Sequence, residues 1–109
     1  MANNVEISIL FDLYGEALTV KQRDYLNYYY NDDLSLSEVA EEIGISRQGV
    51  RELIKKAEEE LRFYEEKLGL AGRFRNTQRL AEQLIQLLKD ADAGEEVRRA
   101  AEKLAETVR

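Results

Sequence analysis

The chain has 109 residues (12.6 kDa), 44% hydrophobic and 35% charged, which suits one globular domain or a small domain with a helical extension. It contains no cysteine and no histidine, so disulfides, thiolate or imidazole metal sites and serine–histidine or cysteine–histidine catalysis are excluded by inventory. The formal charge of −6 works against a nucleic-acid partner, and no apolar run approaches the ~20 residues of a membrane span, which with the lack of a signal-peptide pattern predicts a cytoplasmic protein.

Apolar residues recur in steps of three and four along nearly the whole chain, there is no proline, and no alternating run reads as a strand. The expected fold class is therefore all-α, with six helices. The first fits Asn4 to Tyr14, with Ile7, Leu10, Phe11 and Tyr14 on one face and Gly15 ending it. Thr19 opens the second, pairs with Gln22 in a capping-box pattern, and carries it to about Tyr30. Asn31-Asp32-Asp33 is a polar break, in which the aspartates suit a turn better than a ligand pair. Ser35 and Glu38 form another capping box at the start of a short helix through Val39, Ala40 and Ile43, closed by Gly44. Ser46 caps the next helix, which meets no breaker until Gly69 and so runs about 22 residues, roughly 33 Å. Two amphipathic segments follow Gly69 and Gly72, divided at Ala93-Gly94.

Ser35 to Ala57, SLSEVAEEIGISRQGVRELIKKA, has the grammar of a helix-turn-helix. Ala40 is small where two helices cross closely, Val39, Ile43 and Ile45 supply apolar contact, and Val50, Leu53 and Ile54 put the second helix on the same core. The opposite face projects Arg47, Gln48, Arg51 and Lys55. Charge is distributed accordingly: residues 1–43 carry net −7, residues 44–56 net +3, residues 57–68 net −3 and the remainder net +1. The positive island falls where a recognition helix would present it.

The stretch LTVKQRDYLNYYYNDDLSLSEVAEEIGISRQGVRELIKKAEEEL resembles region 4 of bacterial sigma factors through L-T-x-x-Q-R, L-S-L-x-E-[IV]-A-E and G-[IV]-S-R. LFDLYGEALT before it and FYEEKLGL at its end are similar to the YlxM family of small helix-turn-helix proteins, usually encoded beside signal recognition particle genes in Gram-positive bacteria. The resemblance covers about residues 5–70; residues 71–109 are read as a C-terminal helical extension of a helix-turn-helix domain over 1–70. It implies a sigma-region-4-like bundle and an accessory or regulatory role in the signal recognition particle pathway. Carried over, the recognition positions are Ser46, Arg47, Gln48, Gly49, Arg51 and Lys55. Ser46 would cap the helix and meet a phosphate, Arg47 and Gln48 would lie nearest base edges, and Arg51 and Lys55 would follow the backbone. Gly49 departs from the sigma pattern, which carries a long polar side chain there, and so reads no base.

Other groupings read more plainly. Tyr14, Tyr25, Tyr28, Tyr29 and Tyr30 could stack on unpaired bases, but with no basic residue interleaved they suit packing. Glu58-Glu59-Glu60 and Glu65-Glu66 point in different directions on a helix and are expected to form a solvated face, not a metal cage. Ile54, Ala57, Leu61, Tyr64 and Leu68 form a two-heptad seam that outruns the helix-turn-helix. Phe74, Ala81, Leu84 and Leu88, then Val97, Ala101, Leu104 and Val108, offer stripes to meet it. A homodimer is expected, with Ile54, Leu61, Leu68, Leu84, Leu88 and Leu104 at its interface. The expected function is a nucleic-acid-binding regulator of DNA or signal recognition particle RNA. The alternative is a protein-interaction module of that pathway whose helix-turn-helix no longer reads DNA. No enzyme motif, cofactor or small-molecule substrate is implied.

Overall fold

The computed structural model describes residues 4–108, and among these the chain is helical with no strand. The helices are α1 (Asn4–Tyr14), α2 (Val20–Leu26), α3 (Leu36–Ile43), α4 (Arg47–Leu68), α5 (Leu70–Asp90) and α6 (Glu95–Glu106). None is long and apolar enough to cross a membrane. By compactness the chain divides into two units, the first ending at Gly69 and the second beginning at Leu70.

In the first unit, α4 is the central strut against which α1, α2 and α3 pack. Its ends are set locally. Thr19 Oγ1 accepts the Gln22 N–H at 3.1 Å while Gln22 Oε1 accepts the Thr19 N–H at 3.1 Å. Ser35 and Glu38 make the same reciprocal pair at 3.1 and 3.0 Å, and the Ser35 hydrogen bonds hold the Glu38 carboxyl below its ordinary value. Each box satisfies donors that a helix start leaves without partners. Gly44 then takes the left-handed conformation (φ 77°) that ends α3, and Ser46 caps α4 by accepting the Gly49 N–H at 3.0 Å. The turn joining α3 to α4 is thus three residues long, bounded by a glycine and a cap. Ser35→Ala and Ser46→Ala should each cost about 1 kcal/mol, the usual loss on removing an N-cap, seen as a lower midpoint in thermal melts.

The core between these helices is Ile7, Leu10, Tyr14, Leu18, Leu26, Val39, Ala40, Val50, Ile54, Ala57 and Leu61, all buried. Two local features differ from expectation. The second helix does reach Asn31, but its last stretch, Asn27–Asn31, is a π-helix with wider i→i+5 bonding. After it, Asp33 takes a positive φ of 54°, which a short polar side chain tolerates.

The second unit is α5 and α6 packed on each other. α5 begins at Leu70, before Gly72, which lies in a first turn where low glycine propensity matters least because those donors have no intrahelical partner anyway. The break after α5 is made by Asp92 (φ 51°), with Ala93 N–H returning to Leu88 O at 2.9 Å. Gly94, expected to share in that break, instead occupies the N-cap of α6 with extended backbone.

Candidate nucleic-acid interface

The first half of α4 has one face in the core and one exposed. Val50 and Ile54 face the core, and the side chains of Ser46, Arg47, Gln48, Arg51 and Lys55 are all exposed. At 100° per residue, Arg47, Arg51 and Lys55 lie within an arc of about 80°, forming one cationic row that begins at the capped helix N-terminus. None of the three makes an ion pair or side-chain hydrogen bond among the described residues. Gln48 is engaged: its Nε2 donates to Glu52 Oε1 at 3.1 Å. Glu52 therefore competes with any base edge for the side chain best suited to adenine.

Gly49 has a steric reason as well as a readout consequence. A Cβ there would approach the Ile45 Cδ1 and the Ser46 hydroxyl at 3.2 Å each, inside ordinary van der Waals contact. The turn is closed tightly over this position, and no side chain is presented to a groove from it.

The second half of α4 is covered by the N-terminal helices, and here the expected solvated acidic face is corrected. Glu58 is buried, at 2% exposure, and Glu60 and Glu65 are half-buried. Each accepts a hydrogen bond from an N-terminal element: Tyr30 Oη donates to Glu58 Oε1 at 2.9 Å, Gln22 Nε2 to Glu60 Oε2 at 2.7 Å, and Tyr14 Oη to Glu65 Oε1 at 2.6 Å. Arg62 adds an ion pair to Glu6 at 3.3 Å, and the Tyr14 and Tyr64 rings stack at 5.9 Å. A carboxylate leaving water loses hydration, and a phenol donor restores part of it. Tyr14 and Tyr30 are therefore packing residues that tie α1 and the π-helix to α4. Tyr25, Tyr28 and Tyr29 are half-buried, and Tyr29 meets Tyr30 edge-on at 5.0 Å.

Burial, then the hydrogen bond to Glu58, pushes the Tyr30 phenol well above its ordinary value. The folded chain thus keeps a proton that an unfolded tyrosine releases near pH 10, so this contribution is intact below about pH 10 and lost as pH rises further. Tyr30→Phe leaves Glu58 without this donor and should cost about 1–3 kcal/mol at neutral pH. In denaturant titrations at about pH 8 and about pH 11, the gap between wild type and Tyr30→Phe should narrow at the higher pH. A constant gap would deny the shifted phenol.

The residues expected at a dimer interface fall into three groups. Ile54 and Leu61 are fully buried within the chain's own first unit, which removes them from any intermolecular surface: α1 and α2 pack on α4 and cover the seam that was expected to stand clear. Leu88 is half-buried in the second unit. Leu68, Leu84 and Leu104 are exposed.

Residues 1–102 match the UPF0122 family, described as "Putative helix-turn-helix protein, YlxM / p13 like". A UPF0122 protein of Listeria innocua is 44% identical over 99 residues, covering 90% of each chain. A UPF0122 protein of Bacillus cereus strain AH187 is 43% identical over 105 residues, covering 95% of this chain and 96% of its own. A match across nearly the whole length, joined to a capped three-residue turn between α3 and α4, leaves one assignment: this chain belongs to the UPF0122 family of helix-turn-helix proteins.

Proposed function

We propose that this protein is a nucleic-acid-binding regulator that grips the phosphate backbone with the first two turns of α4. The observation that carries this is the exposed row Arg47, Arg51 and Lys55, free of ion pairs among the described residues and starting at a Ser46-capped helix N-terminus, in a chain of net charge −6. Cations left without carboxylate partners in an acidic protein suit phosphate. With Gly49 reading nothing and Gln48 held by Glu52, binding is backbone-led and weakly sequence-selective. Such binding suits a structured RNA as well as duplex DNA, and the likeness to the YlxM family favours signal recognition particle RNA as the target, with the protein as an accessory of that pathway.

A second role, docking a protein of the same pathway, is favoured by the acidic surround and the same Gln48–Glu52 contact. Fluorescence anisotropy against random duplex DNA and signal recognition particle RNA, each titrated with salt, separates them. Backbone binding through three cations predicts a log–log salt slope near −2 to −3. Absence of binding to both at low salt would leave the helix-turn-helix as a protein-docking module.

A further inference from the structure

In the second unit the fully buried side chains are small, and several large apolar ones stand at the surface. The buried side chains on facing stretches of α5 and α6 include Ala81, Ala101 and Ala105, whereas Leu80, Leu84 and Leu87 on α5 and Val97 and Leu104 on α6 are 40–58% exposed. By the helical repeat, Leu80, Leu84 and Leu87 share an arc of about 60° beside Ala81, and Val97 and Leu104 an arc of about 20° beside Ala101. A connection of four residues makes the pair antiparallel, which brings both stripes to one side of the alanine seam.

We infer that this apolar face is the docking surface for the same face of a second copy, the two hairpins forming an antiparallel four-helix bundle. Three observations favour that occupant. First, a unit of about forty residues is below the size that usually stands alone without a disulfide, a metal or oligomerisation, and this chain has no cysteine. The α5–α6 hairpin by itself leaves the leucine face open, and a second copy supplies the missing layer. Second, five half-exposed aliphatic side chains amount to on the order of 400 Å² of apolar surface, at the size monomers seldom leave uncovered. Two copies face to face bury roughly twice that from these residues, and with the polar rim reach about 1,200 Å², the lower end of stable interfaces. Third, the ends of the hairpin differ in charge. At the open end, residues 70–81 hold Arg73, Arg75 and Arg79 with no acidic side chain and residues 101–106 add Glu102, Lys103 and Glu106, for net +2, whereas around the turn Asp90, Asp92, Glu95 and Glu96 outnumber Lys89, Arg98 and Arg99, for net −1. Antiparallel pairing about a two-fold axis sets the basic end of one copy on the acidic end of the other.

The test runs on the full chain without nucleic acid, so it stands or falls independently of the proposed function. Sedimentation equilibrium from about 1 to 100 μM should show association to twice the 12.6 kDa chain mass. The double variant Leu84→Glu/Leu87→Glu should lose the dimer over that range. Because a lost dimer could also reflect an unfolded hairpin, single-cysteine variants provide a second measurement. A short bis-maleimide should cross-link Leu84→Cys into dimers and leave Glu82→Cys, exposed on the opposite side of α5, as single chains. A concentration-independent single-chain mass for the wild type, a dimer that survives the double variant, or equal cross-linking of both cysteines would overturn the inference.

Discussion

Leu61→Ala should destabilise the first unit by about 2–5 kcal/mol, a large share of the 5–15 kcal/mol that domains usually have. Leu61 is fully buried near the middle of α4, where α1 and α2 pack against the strut, and truncation removes buried methyl groups while leaving a cavity that three helices would have to collapse together. Leu68→Ala, two steps further along the expected seam but half exposed, should change stability by no more than about 0.5 kcal/mol. Urea titrations at two protein concentrations check both results. The loss at Leu61 should be the same at each concentration, since its partners lie in the same chain. A loss that grows on dilution would return Leu61 to an intermolecular interface.

Replacing Arg47, Arg51 and Lys55 together with alanine should nearly flatten the salt dependence of nucleic-acid binding. Each phosphate contact contributes about 0.9 to the slope, so wild type should weaken roughly 40-fold between about 50 and 200 mM salt, and the triple variant hardly at all. Single replacements should each reduce the slope by about one. These residues are exposed, so the variant's melting point should stay close to wild type, which separates loss of contact from loss of fold. If slope and affinity are unchanged, the cationic row is not the binding face. The paired variant Arg75→Ala/Arg79→Ala would then test the second basic stretch, on α5.

The positions legible in the sequence are those governed by interactions within one turn of helix. The boxes at Thr19–Gln22 and Ser35–Glu38, the Ser46 cap and the left-handed Gly44 and Gly69 all depend on residues one to three positions apart. Side-chain geometry there is dictated before any tertiary contact exists. The same local logic made the helix-turn-helix, the 22-residue α4 and the outward cationic row readable from spacing alone.

Features that depend on which helix covers which were not readable in this way. Glu58 and Glu59 are the same residue type side by side, and the packing of α4, with Tyr30 against Glu58, buries one of them and leaves the other exposed. The π-helix at Asn27–Asn31 has no punctuating residue to announce it. The break after α5 fell on Asp92 because a left-handed residue was needed where α5 turns toward α6, two residues before the glycine that spacing favoured.

Periodicity and capping by themselves determined that this protein is all-α and where α1 to α4 begin, because they are properties of neighbouring residues. The tertiary structure decided what each apolar stripe meets. It assigned Ile54 and Leu61 to the chain's own core, where they pack at zero exposure, and left Leu80, Leu84 and Leu87 of α5 exposed. A stripe read from spacing specifies a face that must be covered, and the covering surface is settled by the packing free energy of elements far apart in the chain.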